Sequence, residues 1–494
     1  MNLFHNPAAL ELTRRHFFAS TGLSLGSMAL ASLAGRAADG APVPRDGADT
    51  TTGTGAALAH THFPTKCKNV IYLHMVGGPA QMDLYDYKPK MKEYFDKDLP
   101  DSVRMGQRLT TMTSGQARFP IAPSKYKFAR QGQCGMWISE TLPHTAKMAD
   151  DMAFIRSMHT EAINHEPAIT MMQTGNMVTG RPCLGAWASY GLGSLNQNLP
   201  AFVVMVAKPS NQEQIQAISA RLWQSGYLPG EHAAVSFRAA SDPILFINNP
   251  PGVSPGVRRT TLDGLTKLNE LNHDLLNDPE TKTRIAQYEM AYRMQSSVPE
   301  LTDLSKEPQK VLDLYGPDVK KSGSFAHTAL TARRLVERGV RFVQVYHNNW
   351  DHHGNLPGRM ADQTRDVDQP CWGLIRDLKR LGLFDSTLVI WGGEFGRTIY
   401  SQGGVSATNY GRDHHPRCFT MWMAGGGSKG GSIYGETDDF SYNIVKDPVH
   451  VRDLHATVLR LLGIDHDKFT FRFQGLDQKL TGVEKAHVIQ DLIA

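Results

Sequence analysis

The stretch "TLVIWGGEFGRT", from Thr387 to Thr398, places an unbroken apolar run directly before a carboxylate and a guanidinium. The run has no apolar–polar alternation and ends at Gly392-Gly393, which is typical of a strand buried on both faces of a parallel sheet. Glu394 and Arg397 follow at once. Because ligands bind at the carboxyl ends of strands in open α/β sheets, this stretch predicts a binding edge.

Other segments repeat the pattern and predict the fold class. Similar apolar runs occupy residues 70–76, 151–158, 200–206, 340–347 and 418–426. Amphipathic helical stretches occupy residues 324–339, 369–383 and 451–464. Their alternation predicts an α/β fold with a doubly wound, mostly parallel sheet. Residues 207–325 break the rhythm with polar helical material, and we interpret them as a helical insertion or cap.

The totals exclude several classes of protein. The chain has 494 residues, 41% of them hydrophobic, and a formal net charge of +4, which indicates a globular protein without the basic surface that nucleic-acid binding requires. Its five cysteines form no C-x-x-C pair. A thiolate zinc site and a disulfide scaffold are therefore not expected.

The N-terminal residues have the order of an export signal. Arg14-Arg15 precede a short apolar, Gly-, Ser- and Ala-rich stretch, which is the twin-arginine form of a secretory signal. We predict a signal peptide over residues 1–37, a flexible tether over 38–65 and one domain over 66–494. The signal predicts that the twin-arginine export machinery is a partner and that the protein lies in the periplasm or at the cell surface. No permanent membrane span is expected unless the signal is retained.

Three groups of acidic and imidazole residues lie beside the predicted strands. Asp83 follows the first strand, the stretch "WDHHGN" at 350–355 follows the strand at 340–347, and "GRDHHP" at 411–416 precedes the strand at 418–426. Each group alone is also compatible with a turn or a surface loop. Together they predict a divalent-metal site, with zinc or manganese favoured by the imidazoles and calcium or magnesium suited to a carboxylate-only set. Arg397 could clamp an anionic substrate.

At this point the motifs resemble a known family. The stretches "GGPAQMDLYDYKP", "WDHHGNLP", "GEFGRT", "GRDHHP" and "AGGGSKGGSIYGETD" are together similar to the DUF1501 family of exported, sulfatase-associated proteins. The resemblance covers about residues 66–494. It implies an alkaline-phosphatase-like and sulfatase-like α/β fold, in a superfamily of phosphatases, sulfatases and phosphomutases.

The resemblance also implies roles for single residues. It puts His165 at the nucleophile position, although no C-x-P-x-R or S-x-P-x-R motif is present, so a formylglycine sulfatase is not expected. The nearest hydroxyl is that of Thr160. The candidate catalytic residues are Thr160, His165 and Arg397. The candidate metal ligands are Asp83, Asp351, His353, Glu394, Asp413, His414 and His415.

Two functions follow from these observations. The first is an exported metal-dependent hydrolase of phosphate or sulfate esters, in which Thr160 or a metal-activated water attacks a small anionic ester. The alternative is a non-catalytic, sulfatase-like binding or accessory protein, for instance for a sulfated glycan. The absent nucleophile motif and Phe395, which stands where a second ligand is expected, favour the alternative.

Overall fold

The computed structural model describes residues 55–212, 215–238, 243–244, 247–276 and 279–494. The predicted signal peptide at 1–37 and the tether as far as residue 54 lie outside the described residues. Residues 55–65, predicted as the end of the tether, pack on the domain: Leu58 is buried, and the backbone of Phe63 hydrogen-bonds to Gly463. The last part of the predicted tether is therefore held on the domain by apolar burial and by a backbone hydrogen bond.

Within the described residues, a nine-stranded sheet forms the centre of the fold. The strands that matter for the site and its surroundings are β1 (Asn69–Met75), β2 (Met152–His159), β3 (Phe202–Ala207), β4 (Val235–Phe237), β5 (Phe342–His347), β6 (Thr387–Gly392), β7 (Gly396–Ser401), β8 (Arg412–His415), β9 (Phe419–Ala424), β10 (Ser432–Tyr434) and β11 (Val449–His450). The sheet order is β10–β2–β9–β6–β1–β5–β3–β4, with β11 beside β2. Strands β7 and β8 form a separate antiparallel pair. All six predicted apolar runs are strands of the sheet, and the predicted mostly parallel α/β class is confirmed.

One strand departs from the parallel arrangement. Strand β9 runs antiparallel to both of its neighbours, β6 and β2. Between β6 and β9 the chain forms the β7–β8 pair instead of a crossover helix. Since parallel neighbours need such a crossover and antiparallel neighbours do not, the short return leaves β9 antiparallel.

Helices cover both faces of the sheet. They are α1 (His165–Thr174), α2 (Leu184–Leu192), α3 (Pro255–Leu276), α4 (Pro279–Thr302), α5 (Gln309–Tyr315), α6 (Phe325–Glu337), α7 (Leu356–Arg380) and α8 (Val451–Leu461). Short hairpins join Phe128–Gln131 to Met136–Ser139, Glu436–Thr437 to Ile444–Lys446, and Phe471–Phe473 to Leu476–Gln478.

Two apolar cores follow from the period-2 alternation of buried strands. Ile71 and Leu73 of β1 point to the core covered by α6 and α7, whereas Val70 and Tyr72 point to the core covered by α1, α2 and α8. Both faces are therefore apolar, which is why the strand sequences read as unbroken hydrophobic runs.

Helix α7 begins 13 residues before the predicted stretch at 369–383 and runs through Pro370. Proline is common in the first turn of a helix and unusual in its interior. The preceding turns bury Met360, Thr364 and Val367, so packing against the sheet extends the helix across the proline.

The predicted insertion at 207–325 is not wholly separate from the sheet. Strand β4 pairs parallel with β3 at the sheet edge. The long helices α3 and α4 form a hairpin beyond it. None of the helices in the described part of the chain has the length and apolar composition that a bilayer crossing requires.

Acid should destabilise this fold through buried histidines remote from the sheet edge. Burial lowers the pKa of His232 to about 4 and that of His455 to about 4, from about 6.5 in an unfolded chain. Between pH 6.5 and pH 4 these two histidines are protonated in the unfolded chain and neutral in the folded chain. The free energy of unfolding should therefore fall as the pH drops from 6.5 toward 4, by up to roughly 1.4 kcal/mol per pH unit for each histidine.

Urea unfolding of the wild type and of a His455→Gln variant at pH 7, 6 and 5 checks this expectation. The variant should lose stability less steeply with falling pH than the wild type. Parallel stability curves for the two proteins would contradict it.

Candidate metal centre

The carboxyl edge of the sheet gathers four side chains that could hold a metal ion. One ligand atom from each of His165, Asp351, His353 and His414 lies within 4.8 Å of the others. Asp351 and His353 follow β5, His165 is the first residue of α1, and His414 lies in β8. Residues more than 240 positions apart in the chain therefore converge on one point.

Local backbone constraints bring these segments together. The amide of Trp350 donates to the carbonyl of Val76 at 3.1 Å, which ties the loop after β5 to the end of β1. Gly77 has φ +119°, and a side chain there would collide with the backbone of Trp350 and Asp351. In the β7–β8 pair, His414 lies directly opposite Arg397. Glycine at 77 and the antiparallel pairing therefore set the positions of Asp351 and His414.

The Oδ1 atom of Asp351 is the centre of the group. It lies 2.7 Å from His353 Nε2, 3.2 Å from His165 Nε2 and 3.4 Å from His414 Nε2. The other oxygen, Oδ2, accepts a hydrogen bond from Gln216 Nε2 at 2.8 Å.

Each of the three imidazoles is held by its Nδ1 atom. His414 Nδ1 lies 2.8 Å from the carbonyl oxygen of Ile163, and His165 Nδ1 lies 2.7 Å from Glu394 Oε1. His353 Nδ1 lies 2.5 Å from Gln402 Oε1. Since these partners accept hydrogen bonds, each Nδ1 carries a proton, and in a neutral ring Nε2 is left as a lone pair. All three lone pairs face the same point.

Glu394 contacts the Nδ1 side of the His165 ring and is not one of the four groups that face the centre. Its Oε1 atom accepts from the amide of Gly77 at 2.8 Å as well as from His165, and its Oε2 atom lies 3.4 Å from His74 Nε2. Glu394 and His74 are both fully buried. A carboxylate that binds the far nitrogen of a ligand histidine is the usual second partner of such a ligand in metal sites.

The two carboxylates of the site are ionised. Burial by itself raises the pKa of Asp351, but the adjacent Arg397 guanidinium is the largest opposing cause, and the pKa is held well below its ordinary value. Burial likewise raises the pKa of Glu394, and His165 and His74 bring that pKa well below its ordinary value.

The pKa values of His414 and His165 shift in opposite directions. Burial lowers the pKa of His414 to about 4, so its ring is neutral at pH 7. For His165, burial lowers the pKa, but the neighbouring carboxylates of Asp351 and Glu394 raise it by more, and the net shift is upward. The position in front of His165 Nε2 thus favours a positive charge.

Arg397 faces the protein and not open space. Its side chain is fully buried and donates to the carbonyls of Gly77, Gly78 and Arg412 and to Asp351 Oδ1. A guanidinium has five N–H donors, and four of them are thereby engaged. In this arrangement Arg397 stabilises the Asp351 carboxylate.

The residues present fit a divalent ion. His165 Nε2 is buried and makes no hydrogen bond to any described residue, although it lies 3.2 Å from Asp351 Oδ1. His353 Nε2 and His414 Nε2 are only 3.2 Å apart, and two such lone pairs repel unless a cation lies between them. Metal–nitrogen and metal–oxygen bonds are about 2.0–2.2 Å, so small movements close the site. Three imidazoles with one carboxylate favour zinc or manganese over calcium or magnesium.

The other predicted ligands make different contacts. Asp83 is fully buried against Arg412 Nε at 2.7 Å and accepts from Tyr410 at 2.8 Å. Asp413 accepts from the hydroxyls of Thr110 and Thr113, each at 2.5 Å. Neither carboxylate belongs to the group of four, although Asp413 Oδ1 accepts from the backbone amide of His414 at 2.7 Å.

His415 and Thr160 also lie outside the group of four. His415 Nε2 donates to the carbonyl of Tyr442 at 2.6 Å, and burial lowers the pKa of His415 to about 4. Thr160 Oγ1 accepts from the amide of Ala162 at 3.4 Å. Their described hydrogen bonds hold the strand ends around the site.

Three residues of the surroundings were not predicted from the sequence. His74 had a signal, an imidazole inside the apolar run of β1. Gln216 and Gln402 had none, because nothing in a glutamine's neighbours along the chain shows that it will meet Asp351 or His353.

Comparison with known proteins gives a family and a set of distant structures. A family model described as "Protein of unknown function (DUF1501)" matches residues 67–493. The search of curated proteins returned no match.

Three solved structures illustrate the structural comparison. The PsFucS1 sulfatase from Pseudoalteromonas sp. has a TM-score of 0.32 at 14% identity, covering 81% of this chain and 68% of that one. The alkaline phosphatase from the Antarctic bacterium TAB5 has a TM-score of 0.30 at 11% identity, covering 81% and 98%. The lipoteichoic acid synthase LtaP from Listeria monocytogenes has a TM-score of 0.34 at 10% identity, covering 88% and 78%. Likeness at these scores says nothing of what this chain binds or acts on.

Substitution should separate ligands from structural ion pairs. A His353→Ala variant should bind zinc or manganese at much lower stoichiometry with little loss of stability, because His353 is partly exposed. An Asp83→Asn variant should keep its metal but lose about 3–5 kcal/mol of unfolding free energy, because Arg412 is left buried and unpaired.

Elemental analysis and urea unfolding of the two purified variants test this division. Loss of metal from folded Asp83→Asn protein, or full metal content in His353→Ala, would contradict the assignment. The His353 variant alone decides the matter if the Asp83 variant does not fold.

Proposed function

The chain belongs to the DUF1501 family, and from the centre that it carries we propose an exported, metal-dependent hydrolase of phosphate or sulfate esters. The observation that carries the proposal is the convergence of three Nε2 atoms and Asp351 Oδ1, with every ring fixed through its other nitrogen. His165, Asp351, His353 and His414 are the proposed ligands, for zinc or manganese in preference to calcium or magnesium. A divalent ion supplies Lewis acidity that stabilises charge developing on a phosphoryl or sulfuryl oxygen.

The charge of the centre supports an anionic substrate. Asp351 and Glu394 contribute two negative charges, Arg397 contributes one positive charge, and the imidazoles are neutral as ligands. With a divalent ion the centre has one net positive charge in a largely buried setting. A small anionic ester compensates this charge, whereas a neutral or cationic ligand does not.

The exposure of the ligands gives the side from which a substrate enters. The side chain of His353 is 17% exposed and that of His165 is 11% exposed, against 4% for His414. The open side therefore lies at His353 and His165.

The protein groups then have separate tasks. Glu394 keeps the proton of His165 on Nδ1, so that Nε2 faces the site. Arg397 keeps Asp351 ionised and fixes its orientation. We propose either water or Thr160 as the nucleophile, since Thr160 is the hydroxyl that the sequence brings nearest to the loop before His165.

A non-catalytic binding protein is the second candidate, and one observation favours it. Four protein ligands complete a tetrahedral zinc site, which is the arrangement of structural zinc, whereas catalytic zinc keeps a position open. Arg397 is also engaged by the protein instead of facing a ligand. A five- or six-coordinate ion such as manganese keeps a position open and favours hydrolysis.

The proposed hydrolase should bind about one equivalent of zinc or manganese and hydrolyse an aryl phosphate or aryl sulfate. A Glu394→Gln variant should keep this stoichiometry with roughly 10–100-fold weaker metal affinity and a comparable loss of kcat/KM, because it acts through the orientation of His165. Metal titration and assays with 4-nitrophenyl phosphate and 4-nitrophenyl sulfate measure both quantities. A Thr160→Ala variant distinguishes the two nucleophiles.

Two results would contradict the proposal. Purified protein that binds neither zinc nor manganese would show that the proposed metal centre does not exist. Full metal content without turnover of either ester, with binding of a sulfated glycan, favours the second candidate.

We also propose export to the periplasm or cell surface by the twin-arginine route, which rests on Arg14 and Arg15. An Arg14→Lys/Arg15→Lys variant should stay in the cytoplasm while the unchanged chain reaches the periplasm. Cell fractionation measures this, and export of both proteins alike would contradict it.

A further inference from the structure

Helix α3 has an apolar face that the described parts of the chain do not cover. Its exposed large apolar side chains are Val257, Leu265, Leu268, Leu271 and Leu275. Leu275 is 82% exposed. The other face of the helix, which carries the buried Leu262, packs against α4 in the hairpin. Exposed apolar patches of this kind mark interaction surfaces.

The exposed face has the spacing of a coiled-coil seam. Intervals of four and three residues alternate along the positions Val257, Thr261, Gly264, Leu268, Leu271 and Leu275, all of them exposed. Four of the six positions carry large apolar side chains, Val257, Leu268, Leu271 and Leu275, and the spacing matches the heptad along which one helix packs on another. At Gly264 an added Cβ would meet no atom of the described residues within 4 Å, so there is open space at this position of the seam.

We propose that the seam of α3 binds the α3 helix of a second copy of this chain, in antiparallel orientation about a two-fold axis. The order of side-chain sizes along the seam favours the antiparallel orientation. Small residues occupy its first half and leucines its second half. In the antiparallel arrangement Gly264 meets Leu268 of the second copy, Thr261 meets Leu271, and Val257 meets Leu275. Large side chains therefore fill the space left by small ones, as close packing requires.

Parallel pairing does not achieve this complementarity. It sets Gly264 against the same glycine and leaves a void there, while Leu268 and Leu275 each meet another leucine. A two-fold interface uses the same patch on both copies, and this seam is complementary to itself only when reversed.

Charge favours the same orientation. The start of α3 carries Arg258, and Arg259 beside it is already paired with Asp263 and with Glu289 of α4. The end of α3 carries Glu270 and Asp274. Antiparallel pairing brings the basic end of each helix alongside the acidic end of the other, and opposes the two helix dipoles favourably. The helix has 22 residues, and its seam from Val257 to Leu275 is about 27 Å long, so a single pair of helices buries only a small area over both copies. That area is below the range of permanent dimers, and we expect a dimer that dissociates on dilution.

Sedimentation velocity of the full chain over a hundredfold range of concentration tests the proposal. The unchanged protein should shift from monomer toward dimer, and Leu268→Glu/Leu271→Glu should stay monomeric at every concentration. Leu476→Glu, a change at an exposed leucine outside α3, should dimerise like the unchanged protein. A monomeric unchanged protein, or association that persists in the α3 variant, would overturn the proposal.

Cysteine cross-linking tests the orientation. Under mild oxidation, Val257→Cys/Leu275→Cys should form a covalent dimer, and each single variant should not. Cross-linking of Leu275→Cys alone would show parallel pairing and overturn the antiparallel assignment. Flotation of the chain with anionic lipid vesicles that is lost in Leu268→Glu/Leu271→Glu would show that a membrane surface covers the face, and would also overturn it.

Discussion

The buried carboxylate of Asp351 is the group on which the rest of the centre depends. An ionised carboxylate at 10% side-chain exposure is costly unless cations or hydrogen-bond donors surround it. Arg397 supplies one permanent positive charge, and Gln216 binds the second oxygen. The three Nε2 atoms around Oδ1 supply nothing comparable while their rings are neutral. A cation among them would complete the compensation, and this is the physical reason for proposing a metal there.

The fold delivers this arrangement through backbone contacts that depend on particular residues. Gly77 allows the loop after β5 to lie against the end of β1, and the β7–β8 pair places His414 across from Arg397. Behind them, Glu394 links the amide of Gly77 to His165. The same carboxylate therefore ties the sheet edge to helix α1 and fixes a ligand ring. Structural and chemical roles coincide in this residue.

The sequence predicts the sheet well because each strand is buried on both faces and reads as an apolar run. It also predicts that Asp351, His353 and the 413–415 stretch belong to one edge, since strand ends meet there, whereas His165 was a candidate only through the family resemblance. It does not say which member of "DHH" at 413–415 turns inward: in β8 the ring of His414 reaches the centre, while Asp413 and His415 bond to Thr110 and Tyr442. Nor does the sequence show that Arg412 forms an ion pair with Asp83. Those outcomes depend on strand register and on partners hundreds of residues away.

The most direct test of the account is anomalous diffraction from crystals of the protein grown with zinc or manganese. The account predicts one strong anomalous peak about 2.0–2.3 Å from the Nε2 atoms of His165, His353 and His414 and from Asp351 Oδ1. A map without such a peak, or with its peak at Asp83 or Asp413, would contradict it.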